Sequence, residues 1–299
     1  MKVFITGATG FIGSALVTEL LSHGHQVLGL TRSENGAAAL AAAGAEPYRG
    51  SLEDLEGLRK GAAQADAVVH LAFNHDFSTY AQNCEDDRRV IAALGAALAG
   101  SQRPLIVTSG TGMGAAEPGK PATEEGRPMS SAMIPRAASE EAADALVAAG
   151  GNASVVRLPQ VHDTRKQGLV SPAIQLALEK RLSAYVGEGA GRWAAAHISD
   201  VAPLYRLALE HAQPGARWHA VAEEGVTMRA MAEAIGRRLS LPVKSLTPEE
   251  APAHFGWLAM FAALDMPASS QITRRKLGWN PTGPGLIADL DRLELPGVG

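Results

Sequence analysis

Three glycines near the N-terminus have the spacing of a turn that binds phosphate groups. Gly7, Gly10 and Gly13 directly follow the apolar residues 3–6 and directly precede a stretch with helical apolar periodicity. Glycine lets the chain bend sharply and brings backbone N–H groups close to an anion, and a helix N-terminus favours negative charge. This strand–turn–helix context predicts a dinucleotide site, with contacts from Thr6, Gly7, Thr9, Gly10, Phe11, Ile12 and Gly13.

The end of the next apolar segment indicates which dinucleotide is preferred. Residues 26–31 predict a strand that ends in Thr31, Arg32 and Ser33, where an NAD-selective site carries Asp or Glu. A guanidinium pairs bidentately with a 2′-phosphate. We therefore expect NADP(H) as the preferred cofactor, with NAD(H) as the alternative. The other interpretation of Arg32 is a solvated surface arginine.

The composition is that of an ordinary globular protein. The 299 residues are 46% hydrophobic and 19% charged, and a formal net charge of -4 offers no basic surface to nucleic acid. Cys84 is the only cysteine, which excludes an internal disulfide and a cysteine-rich metal site. No apolar run has the length of a signal peptide or a membrane span. We expect a cytoplasmic protein with a small-molecule substrate and no metal, nucleic-acid or membrane partner.

Strand-like and helix-like segments alternate over the first half of the chain, which is typical of a doubly wound parallel sheet. We predict strands at 3–6, 26–31, 46–49, 67–72, 105–109 and 154–158, helices at about 11–23, 33–44, 52–63, 79–100 and 135–150, and a loop at 110–127. The alternation weakens after Pro159. This pattern predicts an α/β protein with a Rossmann-type dinucleotide-binding domain over 1–160, returning segments at about 190–222, and a smaller substrate-binding lobe over most of 161–299.

Several segments resemble the extended and atypical short-chain dehydrogenase/reductases, the superfamily that includes nucleotide-sugar epimerases and dihydroflavonol-type reductases. The turn TGATGFIG matches the extended-type TGxxGxxG, and VHLA at 69–72, RLP at 157–159, HISDVA at 197–202 and KLGWNP at 276–281 resemble later signatures of the superfamily. The resemblance covers most of the chain. It implies further cofactor contacts from Ser51, Leu52, Leu71, Ala72, Thr108, Arg136 and Pro159.

The catalytic tyrosine and lysine of this superfamily, spaced YxxxK, are absent. Aligning the familiar glutamate four residues past the lysine with Glu140 puts Arg136 at the lysine position and Ala132 at the tyrosine position. The tyrosine is the superfamily's general acid, and alanine donates no proton. The tyrosines of the chain all lie outside this segment, at Tyr48, Tyr80, Tyr185 and Tyr205. The resemblance implies an atypical member that keeps the cofactor site and uses another proton donor.

Hydroxyl and imidazole groups are the candidates for the missing chemistry. Ser109 or Thr111 takes the position of the superfamily's catalytic serine, although a hydroxyl there also suits a strand cap or a backbone hydrogen bond. His162 lies at a sheet end that faces the nicotinamide in relatives, and imidazole titrates near neutral pH. His75 is a second candidate of this kind. Either histidine is alternatively solvated or structural.

Other polar and apolar residues have simpler interpretations. His197 is expected to hold a turn beside Asp200, and the acidic pairs 124–125 and 140–141 are expected to be solvated charges at helix ends. Six large apolar residues are expected to line a substrate pocket over the nicotinamide or to form ordinary core: Trp193, Phe255, Trp257, Met260, Phe261 and Met266.

Together these features predict an NADP(H)-dependent oxidoreductase that reduces a carbonyl-type group of a small, partly apolar substrate by hydride transfer, with a proton donor other than tyrosine. Two alternatives remain. One is a non-catalytic NADP(H)-binding sensor, which the combination of Ala132 and Arg136 favours. The other is a nucleotide-sugar epimerase or dehydratase, which normally requires the absent tyrosine. Relatives often dimerise through the fourth and fifth helices, so the resemblance also makes a homodimer an expectation.

Overall fold

The structure is a computed structural model, and it describes residues 1–114 and 117–294. Its main layer is a seven-stranded sheet whose pairings are all parallel. Its strands are β1 (Lys2–Thr6), β2 (Gln26–Thr31), β3 (Glu46–Arg49), β4 (Ala67–His70), β5 (Leu105–Gly110), β6 (Ala153–Leu158) and β10 (Arg217–His219). The spatial order β10-β6-β5-β4-β1-β2-β3 changes direction between β1 and β4. Open α/β sheets bind ligands at such a switch point.

Helices cover both faces of this sheet. One face carries α1 (Phe11–Ser22), α2 (Glu34–Ala42) and α7 (Ile198–His211), and the other carries α3 (Leu55–Ala63), α4 (Tyr80–Ala97) and α5 (Ala138–Ala148). Neighbouring residues of β1 serve opposite faces, since Val3 and Ile5 pack with the first set of helices and Phe4 packs with the second. A slip of one residue would exchange the two faces, so burial on both sides fixes the register. The predicted doubly wound, Rossmann-type α/β fold is confirmed.

The smaller lobe has its own apolar core, which begins at Val170 along the chain. Its elements are β7 (Gln160–His162), α6 (Val170–Lys180), β8 (Ser183–Val186), β9 (Arg192–His197), β11 (Glu223–Thr227), α8 (Met228–Leu239), β12 (Val243–Leu246), α9 (Ala251–Phe255), α10 (Ala259–Ala262) and α12 (Leu286–Asp291). Its strands form a three-stranded sheet in the order β11-β9-β7 and a two-stranded pair, β12-β8. The remaining helix, α11 (Gln271–Leu277), packs instead against α7 and β10 of the main layer.

Most predicted boundaries in the first half agree with the structure to within a few residues. β4 ends at His70 rather than at residue 72. The backbone N–H groups of the next two residues both donate to Thr6: that of Leu71 to its carbonyl oxygen and that of Ala72 to its hydroxyl oxygen. In the segment 190–222, α7 and β10 return to the main layer, but β9 lies in the three-stranded sheet. The division into two domains stays a prediction. Residues 115–116 of the predicted loop and 295–299 of the predicted lobe lie outside the described residues.

The helices were also compared with the length and hydropathy that a membrane span requires. Over the described ranges 1–114 and 117–294, every helix is too short or too polar to cross a membrane.

Candidate functional site

A groove of about 680 Å³ lies at the carboxyl ends of β1, β2 and β4. Most of the cofactor contacts expected from the sequence line it, together with residues that the sequence analysis did not single out for this role. Its lining consists of Gly7, Thr9, Gly10, Phe11, Ile12, Gly13, Leu30, Thr31, Arg32, Ser51, Leu52, Glu53, Leu71, Ala72, Phe73, Asn74, His75 and Lys166.

The glycine turn forms one wall of the groove. Gly7 has a φ of +71°, and a Cβ there would lie 2.9 Å from the backbone nitrogen of Ala72. A Cβ on Gly13 would overlap the Gly7 carbonyl oxygen, so only glycine lets α1 begin this close to β1. Gly10 caps α1 without a side-chain hydrogen bond, which leaves the N–H groups of the first turn without a side-chain acceptor. This turn is built to receive a phosphate group.

The polar side chains at the ends of β2 and β3 form the far end of the groove. Thr31 and Arg32 line it after β2, and Ser51 and Leu52 line it after β3. Glu53 also lines this end, and its contact with Ser51 lowers the pKa of its carboxyl group. Arg32 is exposed. Its guanidinium is therefore open to an anion in the groove.

Ser33, by contrast, is not among the lining residues. Its hydroxyl accepts a hydrogen bond of 3.0 Å from the backbone N–H of Gly36 and caps the N-terminus of α2. Capping is the ordinary use of serine at a helix start.

A buried hydrogen-bonded chain runs beneath the groove. Thr6 Oγ1 lies 2.6 Å from His70 Nδ1, His70 Nε2 lies 2.8 Å from Asp87 Oδ1, and Arg136 Nη1 donates to Asp87 Oδ2 over 2.7 Å. Burial alone would raise the pKa of Asp87, but the contacts with His70 and Arg136 hold it well below its usual range. Thr6 does not itself line the groove, but its hydroxyl accepts a hydrogen bond from the N–H of Ala72, which does. Thr6 therefore supports the groove lining from below.

Arg136 lies behind the groove lining rather than in it. Its Nη2 donates to the Thr108 carbonyl oxygen over 2.9 Å, and its guanidinium carbon lies 4.1 Å from the centre of the Phe73 ring. Asp87 balances its charge. In this arrangement Arg136 contacts Phe73 and the end of β5. Arg136, Thr108 and Pro159 were expected to contact the cofactor, but they are not among the residues that line the groove.

The structure does not bring the predicted catalytic hydroxyls to the groove. Ser109 and Thr111 are both buried, and Ser109 lies beside the Glu140 carboxyl group under α5. Consecutive side chains of a strand point to opposite faces, and in β5 the neighbouring Thr108 points the other way, to the hydroxyl of Tyr205 at 2.8 Å.

His162 is also kept away from the groove. Its side chain has no exposed surface, its Nδ1 lies 2.7 Å from Asp289 Oδ2, and its ring lies edge-on to His197. Burial lowers its pKa. The physical reason is the course of the chain, because β7 leaves the main sheet after Pro159 and pairs with β9 in the smaller lobe. The geometry therefore gives no support to His162 as a proton donor at the groove.

The loop after β4 places two further polar side chains at the groove. Asn74 and His75 line it, and the His75 and Tyr80 rings pack edge-on against Phe73 with centroid distances of 5.1 and 6.2 Å. Burial, and next the charge of Arg136, lowers the pKa of His75. Burial raises the pKa of Tyr80. The second histidine candidate of the sequence is thus the one placed at the site.

Lys166 is a groove residue that the sequence analysis missed. It lies in the loop between β7 and α6, and its Nζ is 5.9 Å from the centre of the Phe11 ring. Only the return of this loop from the smaller lobe brings the lysine opposite the glycine turn. No local feature of the sequence predicts that this loop returns to the groove.

The interpretation of the two acidic pairs as solvated charges was wrong for their buried members. Glu140 has no exposed surface and forms two hydrogen bonds of 2.8 Å with Arg157 and one of 2.9 Å with Arg217. Burial raises its pKa, but the two arginines outweigh this effect and the net shift is downward. Glu124 is buried as well and accepts hydrogen bonds from the backbone and hydroxyl of Thr273. These charges are structural: Glu140 joins α5 to β6 and β10, and Glu124 joins the loop after β5 to α11.

The six large apolar residues do not line one pocket. Trp193 and Phe255 line a separate small cavity of about 40 Å³ inside the smaller lobe. Trp257 instead stacks on Phe77 of the loop after β4, and Met260 is exposed. His197, as expected, holds a helix start, since it accepts a hydrogen bond from Ser199 N–H and caps α7. In the described part of the chain, no group of three His, Cys, Asp or Glu residues is placed to hold a metal ion.

Known proteins resemble this chain in sequence and in fold. The model of the NAD dependent epimerase/dehydratase family matches residues 3–221. An uncharacterized protein of Schizosaccharomyces pombe is 47% identical over 291 residues, which cover 97% of this chain and 98% of that protein. A 2-alkyl-3-oxoalkanoate reductase of Stenotrophomonas maltophilia is 30% identical over 233 residues, covering 72% of this chain and 67% of that protein.

Among solved structures, the UDP-glucose 4-epimerase of Thermus thermophilus in complex with NAD has a TM-score of 0.75 and 20% identity, and the match covers 97% of each chain. This likeness concerns the fold. The resemblance to the extended short-chain dehydrogenase/reductases is confirmed, and the chain belongs to the NAD dependent epimerase/dehydratase family.

Proposed function

We propose that the protein binds NADP(H) in the groove and reduces a carbonyl-type group of a small, partly apolar substrate. One observation carries the proposal: the same groove is lined by a complete glycine turn, by Arg32 at one end and by His75 at the other. When bound, the cofactor supplies the hydride that adds to the carbonyl carbon. The family relation to a protein named 2-alkyl-3-oxoalkanoate reductase supports this direction of chemistry.

The residues present fit a dinucleotide. The N-terminus of α1 would hold the pyrophosphate, and Arg32 would pair with the 2′-phosphate of the adenosine end. β2 ends without the Asp or Glu that would bind ribose hydroxyls and repel a phosphate at that place. The nearby Glu53 belongs to the loop after β3, where Ser51, and to a lesser degree the charge of Arg32, lowers the pKa of its carboxyl group. NADP(H) is therefore preferred over NAD(H).

His75 is the proton donor in this proposal. The superfamily's tyrosine position is Ala132, whereas His75 lines the groove beside Phe73, against which Arg136 packs. As the hydride adds to the carbonyl carbon, the π electron pair moves to the oxygen, which takes a proton from the imidazolium. The charge of Arg136 favours this release, because it lowers the pKa of His75.

The cofactor preference is tested by Arg32→Ala. We expect the Kd of NADPH to rise by about 10- to 100-fold, the range for losing charge-assisted hydrogen bonds, while the Kd of NADH changes less than about threefold. Titration calorimetry with both nucleotides measures this. An equal change for the two nucleotides would contradict the role of Arg32.

A second function, a non-catalytic NADP(H) sensor, is favoured by one observation. Asp87 already neutralises Arg136, and Ala132 donates no proton, so the family's usual catalytic pair has no direct replacement in place. A panel of aldehydes, ketones and imines with NADPH, run beside UDP-glucose, separates the functions. Carbonyl-dependent NADPH oxidation supports the reductase. Tight binding without turnover supports the sensor, and redox-neutral conversion of UDP-glucose supports an epimerase.

A further inference from the structure

Two side chains of opposite charge line the far end of the groove, and they come from neighbouring strands. Arg32 follows β2, and Glu53 lies in the turn after β3. β2 and β3 pair in parallel up to Thr31 and Arg49, so the segments that follow them leave the sheet side by side. The guanidinium and the carboxylate are therefore presented to the same part of a bound ligand.

The carboxylate of Glu53 is ionised, exposed and within the influence of Arg32. Ser51 lowers the pKa of the Glu53 carboxyl group most, and the charge of Arg32 lowers it further. Both Arg32 and Glu53 are exposed, so a ligand in the groove can reach either of them. This end of the groove is thus a mixed site with one cation and one anion.

The nearest carboxylates along the chain are used elsewhere. Glu34, in the first turn of α2, pairs with Arg49 at 3.1 Å and does not line the groove. Asp54 accepts a hydrogen bond of 2.9 Å from the backbone N–H of Gly57 and caps α3. Of these three carboxylates, Glu53 is the one that is presented to a ligand in the groove.

A 2′-phosphate and a 2′-hydroxyl group would meet these two charges differently. A phosphate monoester carries a charge of about −1.5 to −2 at pH 7, so Arg32 attracts it and Glu53 repels it. A ribose hydroxyl instead donates a hydrogen bond to a carboxylate, which is the contact that an Asp or Glu after the second strand makes in NAD-selective sites. Glu53 offers such a carboxylate from the adjacent strand.

We propose that Glu53 is a specificity-determining residue that opposes Arg32 and lets the groove accept NAD(H) beside NADP(H). Arg32 gives NADP(H) the advantage, and Glu53 limits that advantage. This role rests on the proposed function, because it requires the groove to be the dinucleotide site and Arg32 to be the partner of the 2′-phosphate.

Titration calorimetry with NADP⁺ and NAD⁺, which differ only in the 2′-phosphate, tests this role on the whole chain. We expect Glu53→Gln to raise the ratio of the Kd for NAD⁺ to the Kd for NADP⁺ by about 10-fold, because NADP⁺ is freed of a repulsive charge and NAD⁺ loses an ionised acceptor. Glu34→Gln is the matched control, since it removes the same charge close to Arg32 but outside the groove. It should leave the ratio unchanged.

The ratio distinguishes a specificity residue from a structural one. If Glu53 only holds the turn after β3, its substitution changes both Kd values by the same factor, and a constant ratio overturns the role. A ratio that falls, or that rises equally in Glu34→Gln, overturns it as well. If the wild-type protein binds neither nucleotide, the proposed function fails too. If it binds both and Glu53→Gln leaves the ratio constant, only the role of Glu53 fails.

Discussion

At the scale of single residues, His75 is the group on which turnover depends. We expect His75→Ala to lower kcat by about 100-fold or more, the usual contribution of a general acid, while NADPH affinity is kept. Burial, and next the charge of Arg136, lowers the pKa of His75 from the ordinary histidine value, so the imidazolium forms at a more acidic pH than that of a free histidine. kcat/KM of the wild-type enzyme should therefore rise as the pH falls into that acidic range.

Tyr80→Phe is the matched control, because Tyr80 packs on the same Phe73 ring and does not line the groove. We expect it to retain kcat within about fivefold, far less than the loss of a general acid. A large loss in Tyr80→Phe, or an unchanged pH profile in His75→Ala, would assign the proton donor to the tyrosine instead.

Single residues were predictable where the chemistry is local. The glycine turn and Arg32 follow from a strand and its immediate neighbours, so their positions at the groove could be read from the sequence. Ser109 and His162 could not, because the pleat of β5 and the departure of β7 from the main sheet decide where these side chains point. The sequence predicts that each residue lies at the end of a strand, but it does not predict the direction in which the side chain points.

At the scale of elements, the loop between β7 and α6 adds a cation, Lys166, to the groove. The buried contact between His162 and Asp289 holds its start, and Glu294 holds its middle through the hydroxyl and carbonyl groups of Thr164 and the side chain of Arg165. Lys166 projects from this anchored loop into the groove. The C-terminal residues thereby position a cation opposite the glycine turn.

Lys166→Ala should consequently weaken NADPH and NADH to the same extent, by about 3- to 10-fold, because in the proposed binding mode the lysine would face the phosphate groups that both nucleotides share. Lys244→Ala is the control, since that side chain pairs with Glu250 outside both the groove and this loop, and it should leave both Kd values unchanged. A loss confined to NADPH in Lys166→Ala would place the lysine at the 2′-phosphate instead.

The main layer was predictable because its central strands are short apolar runs, as burial on both faces of the sheet requires, and its helices carry apolar residues at helical spacing on one face. The smaller lobe was not, since its short elements take their positions from contacts with one another and with the main layer. Its core residues Trp193 and Phe255 show this, because the cavity they share forms only when α6, α8 and α9 pack together.

At the scale of the whole molecule, the buried network of charges should make stability depend on pH. Burial, and next the positive charge of Arg157, lowers the pKa of His219 to about 4, below the ordinary value of 6.5, although Glu124 and the hydrogen bond to the Ser269 carbonyl oxygen act in the opposite direction. Between these pKa values the unfolded state binds the proton more readily, so stability falls as the pH decreases from about 6.5 toward 4.

We expect the Tm of the wild-type protein to fall between pH 7 and pH 5, above the range in which the paired carboxylates titrate. His219→Asn should lower the Tm at pH 7 and also reduce its slope against pH. Calorimetric scans at several pH values measure both effects. If the Tm of the variant has the same slope against pH as the Tm of the wild type, other groups cause the pH dependence. The buried His162 is then the next residue to substitute.

The proposed reaction is the transfer of a hydride from NADPH to a carbonyl carbon. It is measured with NADPH that carries deuterium at both C4 positions and a panel of aldehydes and ketones, followed by mass spectrometry of the products. We expect an alcohol product with one deuterium on the former carbonyl carbon, formed by the wild-type protein and at least about 100-fold more slowly by His75→Ala. Tight NADPH binding with no deuterium in any product would contradict it.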